Sequence, residues 1–279
     1  MRLAVLSGKG GTGKTFVSVN LAAAAKKAVY IDCDVEEPNG RLFFRPQQVS
    51  SAEVHTLLPV FDGSKCDGCK KCVEFCRFHA LVYIKEKPMI FPDVCHSCGG
   101  CALVCPQQAV SEEKRSVGVI ETGASENVAV VTGILNMGEA SAVPVIREAL
   151  RKGYENEDLT VIDCPPGSSC SVMESVSAAD YAVFVAEPTA FGFHNFQMVY
   201  ELVRLLKKPC GVILNKADGP YPPLEDFCKK ENIPLLHVFP FSEELAALGA
   251  EGKIAVRENE TLKQTFQNIL KKIGGEDSL

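Results

Sequence analysis

The nine residues Ser7-Gly8-Lys9-Gly10-Gly11-Thr12-Gly13-Lys14-Thr15 constrain this chain more than any other stretch. They lie between an apolar run suited to a buried strand (Arg2 to Leu6) and a run that reads as a helix (Phe16 to Lys27). A glycine-rich turn joining strand to helix aims backbone N–H groups and the positive end of the helix at one spot, which is a site for phosphate. Gly8, Gly13, Lys14 and Thr15 satisfy G-x-x-x-x-G-K-[ST]. In that pattern the lysine neutralises the β- and γ-phosphates and the hydroxyl ligates Mg2+. Gly8, Gly10 and Gly13 also spell the G-x-G-x-x-G of a dinucleotide-binding turn, with acids following further on. That fold has no use for Lys14-Thr15, so a nucleoside triphosphate is the favoured ligand.

A second pattern divides the chain. Cys66, Cys69, Cys72 and Cys76 are followed at an offset of 29 residues by Cys95, Cys98, Cys101 and Cys105, an internal repeat of C-x2-C-x2-C-x3-C. In this spacing three thiolates hold one 4Fe-4S cube and the fourth reaches the cube of the other repeat. Cys66, Cys69, Cys72 and Cys105 are therefore expected to hold one cluster, and Cys76, Cys95, Cys98 and Cys101 the other. Structural zinc is the rival, but it uses pairs of cysteines separated by a longer gap. Thirteen cysteines in a secreted chain would point to disulfides. With no signal-peptide pattern and eight of them in metal-ligand spacing, the metal reading prevails and a cytoplasmic location is expected.

The net charge of −6, with dispersed lysines and arginines, leaves no electrostatic footprint for nucleic acid. No apolar run reaches the ~18 residues of a membrane span. Ala28 to Ile31 reads as a second buried strand that delivers Asp32 and Asp34 to the ligand-binding edge of an open α/β sheet. Glu36 to Val60, broken by Pro38, Pro46 and Pro59, reads as a connection of little periodicity. Strands are expected at Asn127 to Ile134, Leu159 to Ile162, Tyr181 to Ala186 and Gly211 to Leu214, with a helix around Ala142 to Lys152. This alternation implies a doubly wound, mostly parallel sheet. Asp163 at a strand end, followed by Cys164-Pro165-Pro166-Gly167, is placed to orient the shell of a magnesium ion. Asn215, in Asn215-Lys216-Ala217-Asp218, offers an amide to a purine edge.

Taken together, GKGGTGKT with its paired lysines Lys9 and Lys14, IDCD, IDCPPG, the EPTAFG turn at Glu187 to Gly192, LNKAD and the Pro240-Phe241-Ser242 loop resemble the MinD/ParA class of deviant Walker ATPases. The segment 61–111 resembles a bacterial two-cluster ferredoxin, departing from it at Arg77, where a proline would stand. The resemblance implies an ATPase domain in two parts, 1–60 and 112–279, interrupted by an α+β ferredoxin insert. It implies ATP, Mg2+ and two 4Fe-4S clusters as cofactors. Gly8, Lys9, Gly10, Gly11, Thr12, Gly13, Lys14 and Thr15 would surround the phosphates, Thr15 would ligate Mg2+, and Asn215 with Pro240 would hold adenine. Asp34 would position the attacking water, and Asp163 would orient the metal shell. Two subunits would sandwich two nucleotides in an ATP-bound homodimer, with Lys9 reaching the phosphates of the opposite subunit.

Function on this reading is ATP-driven control of electron transfer to a redox or cluster-acceptor protein. A cluster-assembly carrier and a positioning ATPase are the alternatives. The carrier version that bridges a cluster through a C-terminal C-x-x-C finds no such motif after Cys105. Cys33, Cys164, Cys210 and Cys228 read as ordinary small buried residues. Cys170 stands seven residues after Asp163, the spacing of a cluster cysteine in the related nitrogenase iron protein, but that protein's second cluster cysteine has no counterpart within 136–144. The five histidines form no ligand spacing, and Glu36-Glu37 reads as a solvated edge. Leu262, Phe266, Ile269, Leu270 and Ile273, beside Lys263, Lys271 and Lys272, make an amphipathic face. It suits either a membrane surface or, the favoured reading, packing onto the sheet.

Overall fold

Short apolar runs that alternate with helices need both faces covered, and the chain covers them by winding helices round one large sheet. The computed structural model describes residues 1–153 and 159–274. The first elements are β1 (Arg2–Leu6), α1 (Lys14–Ala24), β2 (Ala28–Asp32), α2 (Gly40–Phe44) and β3 (Gln47–Phe61). A cysteine-rich stretch follows with α3 (Lys71–Phe75), β4 (Leu81–Ile84), β5 (Lys87–Ile90) and α4 (Gly100–Leu103). Next come β6 (Val110–Ser125), β7 (Val128–Leu135), α5 (Val143–Gly153), β8 (Leu159–Asp163), α6 (Cys170–Ser177), β9 (Tyr181–Ala186) and α7 (Ala190–Leu205). The chain continues through β10 (Cys210–Ala217), α8 (Pro222–Lys230), β11 (Leu235–Pro240), α9 (Glu243–Ala250), α10 (Ala255–Glu258) and α11 (Glu260–Gly274).

Strand order in the sheet is β11-β10-β9-β1-β8-β2-β7-β6-β3. The pairs from β11 to β7 are all parallel. Their carboxyl ends therefore share one edge, where the loop after β1, Asp32, Asp163 and Asn215 all emerge. Successive strand residues face opposite sides. On one side Leu3, Val5, Val183 and Val185 join Val17, Leu21, Phe266, Ile269 and Leu270 in a buried core. Phe184, pointing the other way, meets Phe196 edge-on at 5.0 Å, and Phe196 meets Phe227 at 5.9 Å. The amphipathic face of α11 is spent on the first of these cores, as the packing reading expects. Among the described residues no helix is long and apolar enough to cross a membrane.

Two expectations fail. The stretch 36–60 is not a structureless connection: it holds α2 and most of the long strand β3, and 110–125 forms β6, which the sequence reading passed over. Both strands are rich in exposed polar residues, so their pairing in the sheet, not burial, decides their state. Helix α1 also begins at Lys14, earlier than Phe16, and ends at Ala24, before Lys27.

The chain divides into two compact units, the first comprising Met1–Ala52, Ile120–Ile134 and Ile146–Leu279, the second Glu53–Val119 and Leu135–Val145. The expected insert, 61–111, lies inside the second unit, which extends beyond it on both sides. Within that unit β4 and β5 form an antiparallel hairpin with Leu81 opposite Ile90. Its two turn residues, Lys85 and Glu86, have φ of 50° and 61°, as a two-residue hairpin turn requires. The 29-residue repeat of the sequence recurs in the backbone. Left-handed residues occur in matched pairs: Gly68 and Ser97 (74° and 51°), Lys70 and Gly99 (60° and 71°), His79 and Gln108 (53° and 50°). The second pair immediately precedes the short helices α3 and α4.

Candidate functional site

At the carboxyl edge of the first unit the glycine-rich loop turns into α1 through Gly13, whose φ of 91° is left-handed. A Cβ at Gly13 would lie 2.2 Å from the Asn215 side-chain nitrogen, so conformation and space both require glycine. No side chain caps α1. Its first N–H groups thus remain for a ligand. The Thr12 hydroxyl is buried and has no hydrogen-bond partner among the described residues, which fits an anion seated in the loop.

Lys14, 7% exposed, donates to Asp163 Oδ1 at 2.6 Å and lies 3.5 Å from Asp34 Oδ2. Burial opposes its charge, but Asp163, Asp34 and Asp32 outweigh that and push its pKa upward. The Ser18 hydroxyl lies 3.0 Å from Asp163 Oδ1, its one proton shared with the Lys14 carbonyl at 2.8 Å, and the Tyr30 hydroxyl donates to Oδ2 at 2.8 Å. Asp34 is partly exposed, and burial followed by the charge of Asp163 raises its pKa against the pull of Lys14. Asp32 does not open onto the phosphate loop as expected. It is fully buried and accepts the N–H of Gly40 at 2.9 Å and of Asp34 at 3.2 Å, shaping the loop that carries Asp34. Burial, with Asp163 next, pushes its carboxyl up to about 8.

Lys9 is held within its own chain. It pairs with Glu187 Oε2 at 2.5 Å and lies 5.3 Å from the centre of the Phe191 ring. Lys216 pairs with Glu187 Oε1 at 2.9 Å and donates to the Gly11 carbonyl at 2.6 Å, tying the tip of the loop to the same acid. Burial alone would raise Glu187; the two lysines hold it below the usual carboxylate range. Asn215 donates to the Thr12 carbonyl at 2.8 Å and, with Gly13, Phe16, Pro240 and Phe241, lines a cavity of about 160 Å3 beside the loop. The structure thus gathers Gly8 to Thr15, Asp34 and Asp163 at one place and Asn215 with Pro240 beside it. Sequence reasoning missed Ser18, Tyr30 and Lys216. Ser18 and Tyr30 sit inside apolar runs, and only the demand that a buried hydroxyl find a partner marked them.

In the second unit the eight cysteines fall into two groups. Cys66, Cys69, Cys72 and Cys105 line one cavity, beside Phe61 and Tyr83. Cys76, Cys95, Cys98 and Cys101 line another, beside Phe78 and His96. The fourth cysteine of each repeat therefore sits with the other repeat's three. Backbone N–H groups donate to sulfur in both, Ala109 to Cys105 at 3.3 Å and Ser97 to Cys95 at 3.4 Å. Among the described residues no three His, Cys, Asp or Glu close round a single metal ion. Four cysteine thiols with backbone N–H groups on sulfur are a donor set compatible with a 4Fe-4S cube and with a structural zinc alike. His96 stacks on Phe78 with 3.9 Å between ring centres. Cys33, Cys164 and Cys228 are buried, Cys210 is half-buried, and Cys170 is exposed at the start of α6.

A parallel sheet that presents such a loop at its carboxyl edge, with a buried lysine set between strand-end acids, defines the P-loop nucleotide-binding class. Within that class the chain belongs to the CobQ/CobB/MinD/ParA nucleotide binding domain family, which it matches over residues 3–256. It is 28% identical over 280 residues to an uncharacterized protein of Methanocaldococcus jannaschii, covering 98% of this chain and 96% of that one. Its fold resembles the septum site-determining protein MinD of Pyrococcus horikoshii, solved with Mg-ADP, at a TM-score of 0.60 and 19% identity, covering 98% and 95% of the two chains. A shorter likeness, 33% identity over 69 residues, is to one component of an ion-translocating oxidoreductase complex of Methanosarcina acetivorans, covering 22% of this chain and 26% of that protein.

Proposed function

We propose that this chain binds and hydrolyses ATP as a homodimer and couples its nucleotide state to electron transfer through two 4Fe-4S clusters in a ferredoxin insert spanning 61–111. The observation that carries the proposal is the sorting of the eight cysteines into two cavities of four, in one chain with a phosphate loop. The local likeness to an oxidoreductase component supports it. When bound, the clusters supply one-electron transfer to a redox protein partner.

Lys14 and the N–H groups at the start of α1 bind the phosphates, with Thr15 and Asp163 placed to hold and orient Mg2+. Asp34, partly exposed and 3.5 Å from Lys14, positions the attacking water. Asn215 and Pro240 border the adenine cavity. Lys9 leaves Glu187 to reach the phosphates of the opposite subunit. Both acid-bearing segments flank the insert in sequence, so a nucleotide that prefers one arrangement of them biases the insert by its differential affinity for the two states.

The test is a potentiometric titration of the reduced and oxidised protein without nucleotide, with ADP and with a non-hydrolysable ATP analogue. A coupling of about 1 to 3 kcal/mol changes nucleotide affinity about 5- to 150-fold between redox states. The same coupling moves a one-electron potential by roughly 40 to 130 mV. Potentials and affinities that agree across all states remove the coupling. The full-length likeness to MinD structures favours a positioning ATPase as the second reading, and that outcome would leave it standing.

A further inference from the structure

Ala28-Val29-Tyr30-Ile31 reads as plain core, yet the Tyr30 hydroxyl is completely buried within it. A buried phenol requires a polar partner. Strands β2 and β8 pair in parallel with Tyr30 beside Val161 and Asp32 beside Asp163. Tyr30 and Asp163 are thus diagonal neighbours, a separation that an aromatic side chain spans. The hydroxyl donates to Asp163 Oδ2 at 2.8 Å, while Lys14 donates to Oδ1 and Ser18 shares its one proton between Oδ1 and the Lys14 carbonyl. Each carboxylate oxygen therefore has its own set of donors.

The phenol ring has two close neighbours. The Phe44 ring centre lies 4.9 Å from it, and a Cβ at Gly40 would lie 2.3 Å from the Tyr30 ring and hydroxyl. The backbone N–H of the same Gly40 is fixed by Asp32. Burial first, then the charges of Asp163 and Asp32, raise the phenol's pKa well above its ordinary value, so it stays a donor. Of the three donors to Asp163, Lys14 is the one that phosphates compete for. Once it turns to them, Tyr30 still holds Oδ2, while Ser18, whose proton the Lys14 carbonyl also draws, stays beside Oδ1.

We propose that Tyr30 is a positioning residue that fixes the Asp163 carboxylate while Lys14 serves the phosphates, so that Asp163 meets the nucleotide's metal in one orientation. The inference rests on the reading of this site as one for Mg2+ and ATP. Partners that orient a metal-directed ligand in this way are commonly worth about 10- to 100-fold in metal affinity.

The test uses full-length Tyr30→Phe, which keeps the ring and removes only the hydroxyl. Calorimetry with ADP in excess EDTA should give the wild-type affinity. With Mg2+ present, the tightening that the metal brings should fall at least about 10-fold, and half-saturation of turnover by Mg2+ should rise to match. In turnover kcat should drop while KM for ATP at saturating Mg2+ holds. Ile269→Ala, which empties part of the same core without touching Tyr30 or its supports, should lower the melting temperature and leave the Mg2+ dependence alone. If Tyr30→Phe keeps the wild-type Mg2+ dependence, or if Ile269→Ala reproduces the shift, the positioning role is overturned. A wild-type protein that binds no nucleotide at all overturns the underlying reading instead, and calorimetry separates that result from the other two.

Discussion

The nucleotide end of the first unit and the thiol cavities of the second are organised in opposite ways. Around the phosphate loop polar side chains are engaged by residues far away in the chain: Lys14 with Asp163, Asp163 with Tyr30, Lys9 with Glu187, Asn215 with Thr12. Behind them lies a core of fully buried residues such as Leu3, Leu21 and Phe266. The second unit buries much less. Cys69 and Cys98 are exposed, and so are Phe75, Phe78, Phe91, Val94 and Leu103, the last at 87%. A unit this small seldom holds together on apolar burial alone. The first site is thus preorganised by packing, whereas the second, if it holds the proposed clusters, would draw its rigidity from them, as small metal domains do.

The largest effect should come from the cysteines that cross between repeats. Anaerobic wild-type protein should carry about eight irons per chain, and Cys105→Ala about four. Crossing also predicts which thiols are freed: in Cys105→Ala, Cys66, Cys69 and Cys72 should become open to alkylation while Cys95, Cys98 and Cys101 stay protected. Cys76→Ala should show the reverse. Proteolysis should then cut within 53–119 while the melting of the first unit stays put. Stoichiometric zinc without iron, or freed thiols in the uncrossed groups, would break the contrast.

Next in size, and confined to the preorganised unit, are the two lysines of the loop. Lys14→Ala should abolish nucleotide binding by calorimetry and leave Asp163 and Asp34 without their shared cation. Lys9→Ala should bind nucleotide much as wild type does but lose ATP-driven dimerisation in sedimentation, because its partner in the single chain is Glu187 and not the phosphate site. A Lys9→Ala protein that still dimerises and turns over normally removes the composite-site argument.

The smallest effect sharpens the contrast through pH. Burial raises the folded pKa of Asp32 from 3.8 to about 8, so between these values the folded chain retains a proton that the unfolded chain releases. Stability from this group therefore falls as pH rises from about 4 to about 8 and levels off above. Asp34, also raised, adds to the same trend. Urea midpoints measured across this range should slope less in Asp32→Asn than in wild type, with iron content unchanged between them. Equal slopes would remove Asp32 as the source.

What could be read from the residues alone was what neighbouring residues encode. The phosphate loop, the strand ends carrying Asp34 and Asp163 and the apolar face of α11 each depend on local conformation or on a short period. The two groups of four thiols were legible for a related reason, since a repeated ligand spacing fixes which residues share a cavity. The strands β3 and β6 were not legible, because polar strands are defined by their sheet partners and not by their own side chains. Nor were the bond from Tyr30 to Asp163, across 133 positions, and the hold of Glu187 on Lys9. A buried hydroxyl or charge must find a partner, but the sequence carries no record of which distant strand brings that partner into hydrogen-bonding reach. The parallel register of β2 and β8 made that choice for Tyr30, and the seating of the turn before α7 made it for Lys9.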